Sequence, residues 1–453
     1  MFRTPGATPA NPTLTELAAA YREGRTTPGE ATEAYLARIE PGPVFRTLTA
    51  ERARAQARRA ERAFEAGVDL GPLQGIPLAV KDLLDMEGEV SAAGSAALLA
   101  AGRVAETDAP LIARLDEAGA VFLGRTQMTE LAFSGLGLNP HFGTPGCVAD
   151  PARVPGGSSS GSSVAVASGM ACAALGSDTG GSVRIPAAFQ GLVGLKTTDR
   201  DLPTEGVVPL STTLDTVGPI ARTPEDAWHL WRAMKAWGPE PPPAAPGALT
   251  LWAPPTVLQE GLDPEVARAF DAATASLEAA GHTVIRDELP ALRELHELYG
   301  RYGSFAAYEA LAMYEDLLEQ EGVRVDPRVS SRILAVRGRP ATDYLRLGYA
   351  RTRLARTFWD EARRADAVIA PTVQVQPPYR APLERSDEAY VRANAAVLRN
   401  TTVFNLASGP AVQVPIGRCE AGLPVGGMVA APPGREAQVL AVATRWQEAL
   451  ADG

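Results

Sequence analysis

Runs of apolar residues broken at regular intervals by capping and turn residues organise the chain. Through the first 65 residues the pattern is helical. Thr13 stands before Leu14–Tyr21 with Glu16 three residues on, a capping-box arrangement that closes at Gly24. Further helical runs cover Pro28 to Ile39 and Ala50 to Ala66. Gly75 to Lys81 then reads as a short apolar strand. From Asp108 to Gly119 an acidic N-cap, an early proline and a terminal glycine predict a helix, and Ala120 to Gly124 predicts the strand after it. The same grammar returns in Asp263 to Gly281 followed by His282 to Ile285, and in Trp359 to Ala365 followed by Ala367 to Ala370. Helices alternating with strands that are apolar on both faces predict an α/β fold whose sheet is covered on both sides. One proline-rich break, Pro239 to Gly247, is expected to be a surface loop, since strand-like Leu249 to Trp252 resumes at once.

Composition narrows the class. With 453 residues, 45% hydrophobic and 21% charged, the chain can build a sizeable core, which excludes disorder as its main state. No uninterrupted apolar stretch approaches the roughly 18 residues of a membrane span. A net charge of −10 disfavours direct binding to nucleic acid or to an acidic membrane. Cys147, Cys172 and Cys419 are far apart and form no CxxC, so neither a disulfide framework nor a zinc site is indicated. His141, His229, His282 and His296 are equally scattered and are expected to be surface or core residues. The amino terminus lacks a basic-then-apolar leader, so a cytoplasmic location is expected.

Lysine usage is unusual. Of 43 basic residues only Lys81, Lys196 and Lys235 are lysines. Lys235, beside Trp237, needs no special reason, and Lys196 at a strand end is expected to be structural. Lys81 ends an apolar strand, where burial can lower a lysine pKa from about 10.4 toward neutrality.

Residues 155–196 read PGGSSSGSSVAVASGMACAALGSDTGGSVRIPAAFQGLVGLK and carry only Asp178, Arg184 and Lys196 as charges. A flexible Gly/Ser tether does not fit, because Val, Ile, Leu, Met and Phe are seeded throughout. A buried small-residue helix from Val164 to Leu175 is expected instead. The pattern is not a phosphate-binding loop either, since it has neither GxxxxGK[ST] nor GxGxxG. In Asp178-Thr-Gly-Gly-Ser182 two glycines precede a serine, so successive backbone N–H groups can converge on one point. Such an oxyanion hole is worth roughly 3–4 kcal/mol per donor. A serine nucleophile needs a base, no histidine lies in a suitable motif, and a neutral Lys81 can take that role.

These residues resemble the amidase signature family of serine hydrolases. Its pattern, a GGSS turn, a small-residue helix, G-[ST]-D-x-G-G-S-x-R-x-P and a G-L-K ending, matches Gly156 to Lys196, with Ser158 preceding Ser182 by 24 residues. The Lys-Asp strand end appears as Lys81-Asp82, and similarity continues through Gly124–Glu130, Ser211–Pro219, Ala370–Thr372, Gly409–Ala411, Val414-Pro415 and Gly422–Gly426.

The resemblance implies one large domain over residues 1–453 with a central mixed sheet. Residues 1–65 would be its helical beginning, 66–235 its catalytic core, and 248–453 the rest of the sheet with the substrate pocket. It implies a triad of Ser182 as nucleophile, Ser158 on a cis peptide as proton relay, and Lys81 as base. The amides of Thr179, Gly180, Gly181 and Ser182 would form the oxyanion hole. Ser159 and Asp178 would be scaffold, bonding the turn and the base, and Arg184 would brace the loop through a carboxylate. No cofactor or metal is called for. The pocket is expected from residues 125–147 and 300–400, and the partner is a small amide; the only self-association considered is a homodimer.

Departures from the family pattern are Ser160 and Ser162 in place of glycines, Gln190 in place of cysteine and Thr197 in place of proline. A serine at 160 would be strained if that turn needs positive φ. A related alternative is the glutamine-hydrolysing A subunit of a tRNA-dependent amidotransferase, which works with partner subunits B and C. Phe133–Pro140 and Arg332–Pro340 do not resemble that protein, which favours a stand-alone amidase. A non-catalytic binding protein on the same fold is disfavoured by the retained Lys81, Ser158 and Ser182.

Overall fold

The computed structural model describes residues 11–244, 247–320, 322 and 324–451. Eleven strands join in one mixed sheet: β1 (Phe45–Leu48), β2 (Pro77–Lys81), β3 (Val121–Thr126), β4 (Ala173–Asp178), β5 (Val193–Lys196), β6 (Thr216–Ala221), β7 (Thr250–Trp252), β8 (Thr283–Ile285), β9 (Ala367–Pro371), β10 (Ala411–Arg418) and β11 (Pro424–Ala430). Their spatial order is β1-β3-β2-β4-β6-β5-β10-β11-β9-β7-β8. Parallel pairing links β2 to β3 and β4, and β7 to β8 and β9; the other pairs are antiparallel.

Every residue of β2, β3 and β4 is buried, because helices flank the sheet and leave its centre no solvent face. Among the described residues no helix is long and apolar enough to cross a membrane. Parallel pairing of neighbours β2 and β4, with Leu78 opposite Ala173 and Val80 opposite Leu175, brings their carboxyl ends to the same edge. That edge carries Lys81 and the loop after Asp178, the usual place for a site in such sheets.

The early helices form as their caps predict. Thr13 and Thr27 both complete capping boxes, with Glu16 and Glu30, and Asp263 caps the helix Pro264–Ala279. Three local expectations need correction. Residues 1–65 are not wholly helical, since Phe45–Leu48 pairs as an edge strand with β3. Asp108 is not an N-cap: Ala109 takes that place, and the Asp108 carboxylate instead binds Arg52 and the Glu87 amide. The small-residue helix is Ser160–Ala167 rather than Val164–Leu175. Gly169 at φ +75 turns the chain, and Ala173 to Leu175 are drawn into the ladder between β2 and β6.

Of the proline-rich break, residues 239–244 have no regular structure and are largely exposed, while 245 and 246 lie outside the described residues, as do residues 1–10.

Candidate active site

Strand β2 delivers Lys81 to the buried sheet edge. Lys81 ends that strand and Asp82 begins the turn after it, and the two adjacent charges have separate partners. Asp82 is held away by Arg125 at 2.8 Å and Arg46 at 2.7 Å. Among the described residues Lys81 Nζ donates to two hydroxyls, Ser158 Oγ at 2.7 Å and Ser177 Oγ at 2.8 Å. Burial pushes its pKa down to about 7, against the upward pull of Asp178 and Asp215.

The Gly157–Ser158 peptide bond is cis, and Ser158, Ser159 and Ser160 are all fully buried. The Ser159 amide donates to Ser182 O at 3.2 Å, which draws the two signature turns together. Ser159 Oγ reaches Ser177 O at 3.4 Å. Ser160 opens the helix without positive φ, so no strain arises there. At its neighbour Gly161 a Cβ would meet Val44 O and the Gln127 amide, so glycine is required at 161. Ser162 Oγ bonds Thr126 Oγ1 at 2.7 Å and Leu175 O at 2.9 Å. Gln190 links Val148 N to Pro155 O, and Thr197 Oγ1 donates to Val217 O.

After β4 the chain turns through Thr179–Ser182 into the helix Arg184–Gln190. Asp178 organises that turn. Its carboxylate accepts from the amides of Gly181 at 2.8 Å and Val183 at 3.2 Å, from Arg184 Nη2 at 2.9 Å and Nε at 3.0 Å, and from Asn405 Nδ2 at 2.9 Å. Burial alone would push Asp178 up, but the Arg184 guanidinium holds it well below the usual carboxylate range. Arg184 and Asp178 form a fully buried ion pair. Asp178 makes no hydrogen bond to Lys81, contrary to expectation; Ser177 does.

The four expected oxyanion amides divide. Gly181 donates to Asp178 and is turned into the scaffold, whereas the amides of Thr179, Gly180 and Ser182 have no acceptor among the described residues. The Thr179 hydroxyl donates to Asp215 at 2.5 Å, and burial pushes Asp215 up to about 6. Gly180 O accepts from Thr401 Oγ1 at 2.6 Å.

Thr179, Gly180 and Ser182 line a cavity of about 510 Å³. Ala132–Ser134, Arg332, Gln374, Ala395, Ala396, Leu398 and Arg399 come from the expected ranges, but Leu210, Leu214, His296, Tyr299 and Thr402 line it from outside them. His296 is therefore a pocket residue rather than a plain surface or core one. Lys196 is structural, its Nζ bonded to Thr197 O at 2.7 Å and Gly409 O at 3.1 Å. All three cysteines are free and buried, and no group of His, Cys, Asp and Glu among the described residues could hold a metal.

The family model described as Amidase matches residues 30–440. The chain belongs to the amidase family. This amidase is 37% identical to a 2-amino-5-chloromuconic acid deaminase from Comamonas testosteroni over 92% of its length and 91% of the relative's. It is 34% identical to the glutamyl-tRNA(Gln) amidotransferase A subunit of Symbiobacterium thermophilum, over 91% of each chain. A solved structure described as that of an amidase superposes with a TM-score of 0.86 at 32% identity, over 97% of this chain and 99% of that one. The amidase is accordingly a hydrolase acting on carbon–nitrogen bonds of amides.

Ser177 is a site residue that pattern reading does not single out. The signal that could have found it is the G-[ST]-D element before the signature turn, Gly176-Ser177-Asp178.

Proposed function

We propose that this amidase hydrolyses a linear carboxylic amide to the acid and ammonia or amine through an acyl-enzyme on Ser182. The observation that carries the reading is a buried lysine, brought to about 7, with its Nζ 2.7 Å from Ser158 Oγ. A lysine at that value is half neutral near pH 7 and can accept a proton. Lys81 takes the Ser158 proton while Ser158 takes that of Ser182, whose Oγ attacks the amide carbonyl. The Thr179, Gly180 and Ser182 amides, which have no acceptor among the described residues, receive the oxyanion. The proton returns through Ser158 to the leaving nitrogen, the C–N bond breaks, and water then hydrolyses the ester.

The test is fluorophosphonate labelling. Wild type should label on Ser182 and Ser182→Ala should not; equal labelling of both proteins overturns the assignment. The relatives named as amidotransferase A subunits favour a second reading, glutamine hydrolysis with partner subunits. Glutamine hydrolysis that appears only with those partners and tRNA would select it over stand-alone amide hydrolysis.

A further inference from the structure

The cavity beside Ser182 has a charge opposite to that of the whole molecule. In a chain of net charge −10, two arginines and a histidine line the cavity, and no acidic residue does. Apolar walls from Phe133, Leu210, Leu214 and Leu398 surround these groups. Such walls lower the local dielectric and strengthen any charge left inside.

The two arginines are not equivalent. Arg399 lies 3.0 Å from Glu260, a carboxylate it shares with Arg293 at 2.5 Å, so one negative charge stands between two positive ones. Arg399 Nε is buried without a partner. Arg332 has no ion pair among the described residues. Its guanidinium stacks 4.3 Å from the Phe133 ring centre, and its Nη1 donates to Phe133 O. These contacts hold the planar fork in place and leave its remaining N–H donors without a partner among the described residues. Burial pulls Arg332 downward with no carboxylate to oppose it. A fixed, partly dehydrated guanidinium with no acid beside it is a receptor for a planar anion.

We propose that the amidase acts on amides whose acyl chain ends in a second carboxylate, the half-amides of dicarboxylic acids, and that Arg332 receives that distal carboxylate. The inference rests on the amide-hydrolase reading and adds the substrate class. The reaction is half-amide plus water giving diacid plus ammonia, with the distal carboxylate unchanged throughout. Arg399 adds positive charge along the chain, His296 contributes a ring that burial keeps neutral, and Arg332 is the anchor that sets preference.

The experiment compares kcat/KM for succinamate, glutaramate and adipamate with butyramide, valeramide and hexanamide, matched in chain length. Wild type should prefer at least one acid over its neutral counterpart by about 30-fold or more, as expected for a desolvated charge pair. Arg332→Met should bring that ratio to within about threefold, and Arg332→Lys should restore some of it. Fluorophosphonate labelling of Ser182 reports whether each variant still presents its nucleophile. If Arg332→Met does not label, inhibition of wild type decides: glutarate should compete at least tenfold better than its monomethyl ester, and equal competition overturns the proposal. Neutral amides turned over as well as the acids by wild type, or a preference that survives in a labelled Arg332→Met protein, also overturns it. Neither outcome touches the amidase reading, which falls only if wild type neither labels nor hydrolyses any amide.

Discussion

Replacing Lys81 by methionine separates two consequences of one buried amine. An ordinary lysine titrates near 10.4, and burial brings Lys81 to about 7. The gap corresponds to ~4–5 kcal/mol against the folded state wherever both states are protonated, that is, below pH 7. Between pH 7 and 10.4 the unfolded chain binds one proton more than the folded one, so wild-type stability climbs by about 1.4 kcal/mol per pH unit. Methionine has no such proton. It also leaves the Ser158 and Ser177 hydroxyls without their partner, at about 1–3 kcal/mol each if nothing replaces it. From pH 6 to pH 9 wild type should therefore gain about 2–3 kcal/mol relative to Lys81→Met, whatever their order at the start. Urea unfolding of both proteins at the two pH values measures the difference. Amide hydrolysis should fall by about 10²–10⁴ in the variant, and the wild-type rate should rise through pH 7 as Lys81 loses its proton. Parallel stability profiles, or a wild-type rate flat from pH 6 to 9, would refute the depressed lysine.

Two further substitutions probe the turn that carries Ser182. Arg184→Met strips the buried Asp178 of its guanidinium and should lower the unfolding free energy by about 3–5 kcal/mol, read from denaturant midpoints; a change below about 1 kcal/mol would mean that the amides and Asn405 suffice to hold that carboxylate. Gly181→Ala puts a Cβ within 2.6 Å of Thr401 Cβ at a φ of +132, so the turn must move. We expect a drop in kcat of about 10²–10³ with little change in circular dichroism, and an unaltered kcat would show that the turn tolerates the methyl group.

Much of this site is legible in the sequence because its components are local. The capped helices, the apolar strand ending in Lys81 and the glycine pair before Ser182 each follow from neighbours within a few residues. What pattern reading misses depends on pairing across the chain. Phe45–Leu48 is a strand only because β3 lies beside it, and Ala173–Leu175 leaves the expected helix because β2 and β6 offer a ladder. Ser177 becomes a partner of Lys81 through the parallel register of β2 and β4, which no local spacing records. Gly181 belongs to the right segment, but its amide direction is set by Asp178, so counting glycines overstates the oxyanion donors. His296, Arg332 and Arg399 meet in one cavity from positions more than a hundred residues beyond Ser182.

The helix Asp387–Leu406 serves two masters along adjoining stripes. One stripe, Thr401 and Asn405, grips the turn at Gly180 O and Asp178. The next, Ala395, Leu398 and Arg399, faces the cavity, while Thr402 belongs to both, lining the cavity and reaching Gly180 O at 3.3 Å. Residues four apart ride on a common rod, so the shape of the guest chamber can be redrawn by exchanging side chains on one stripe while the grip on the turn stays put. Tilting the rod itself would disturb both at once. Diversification by residue exchange is therefore open to this protein where diversification by hinge is closed.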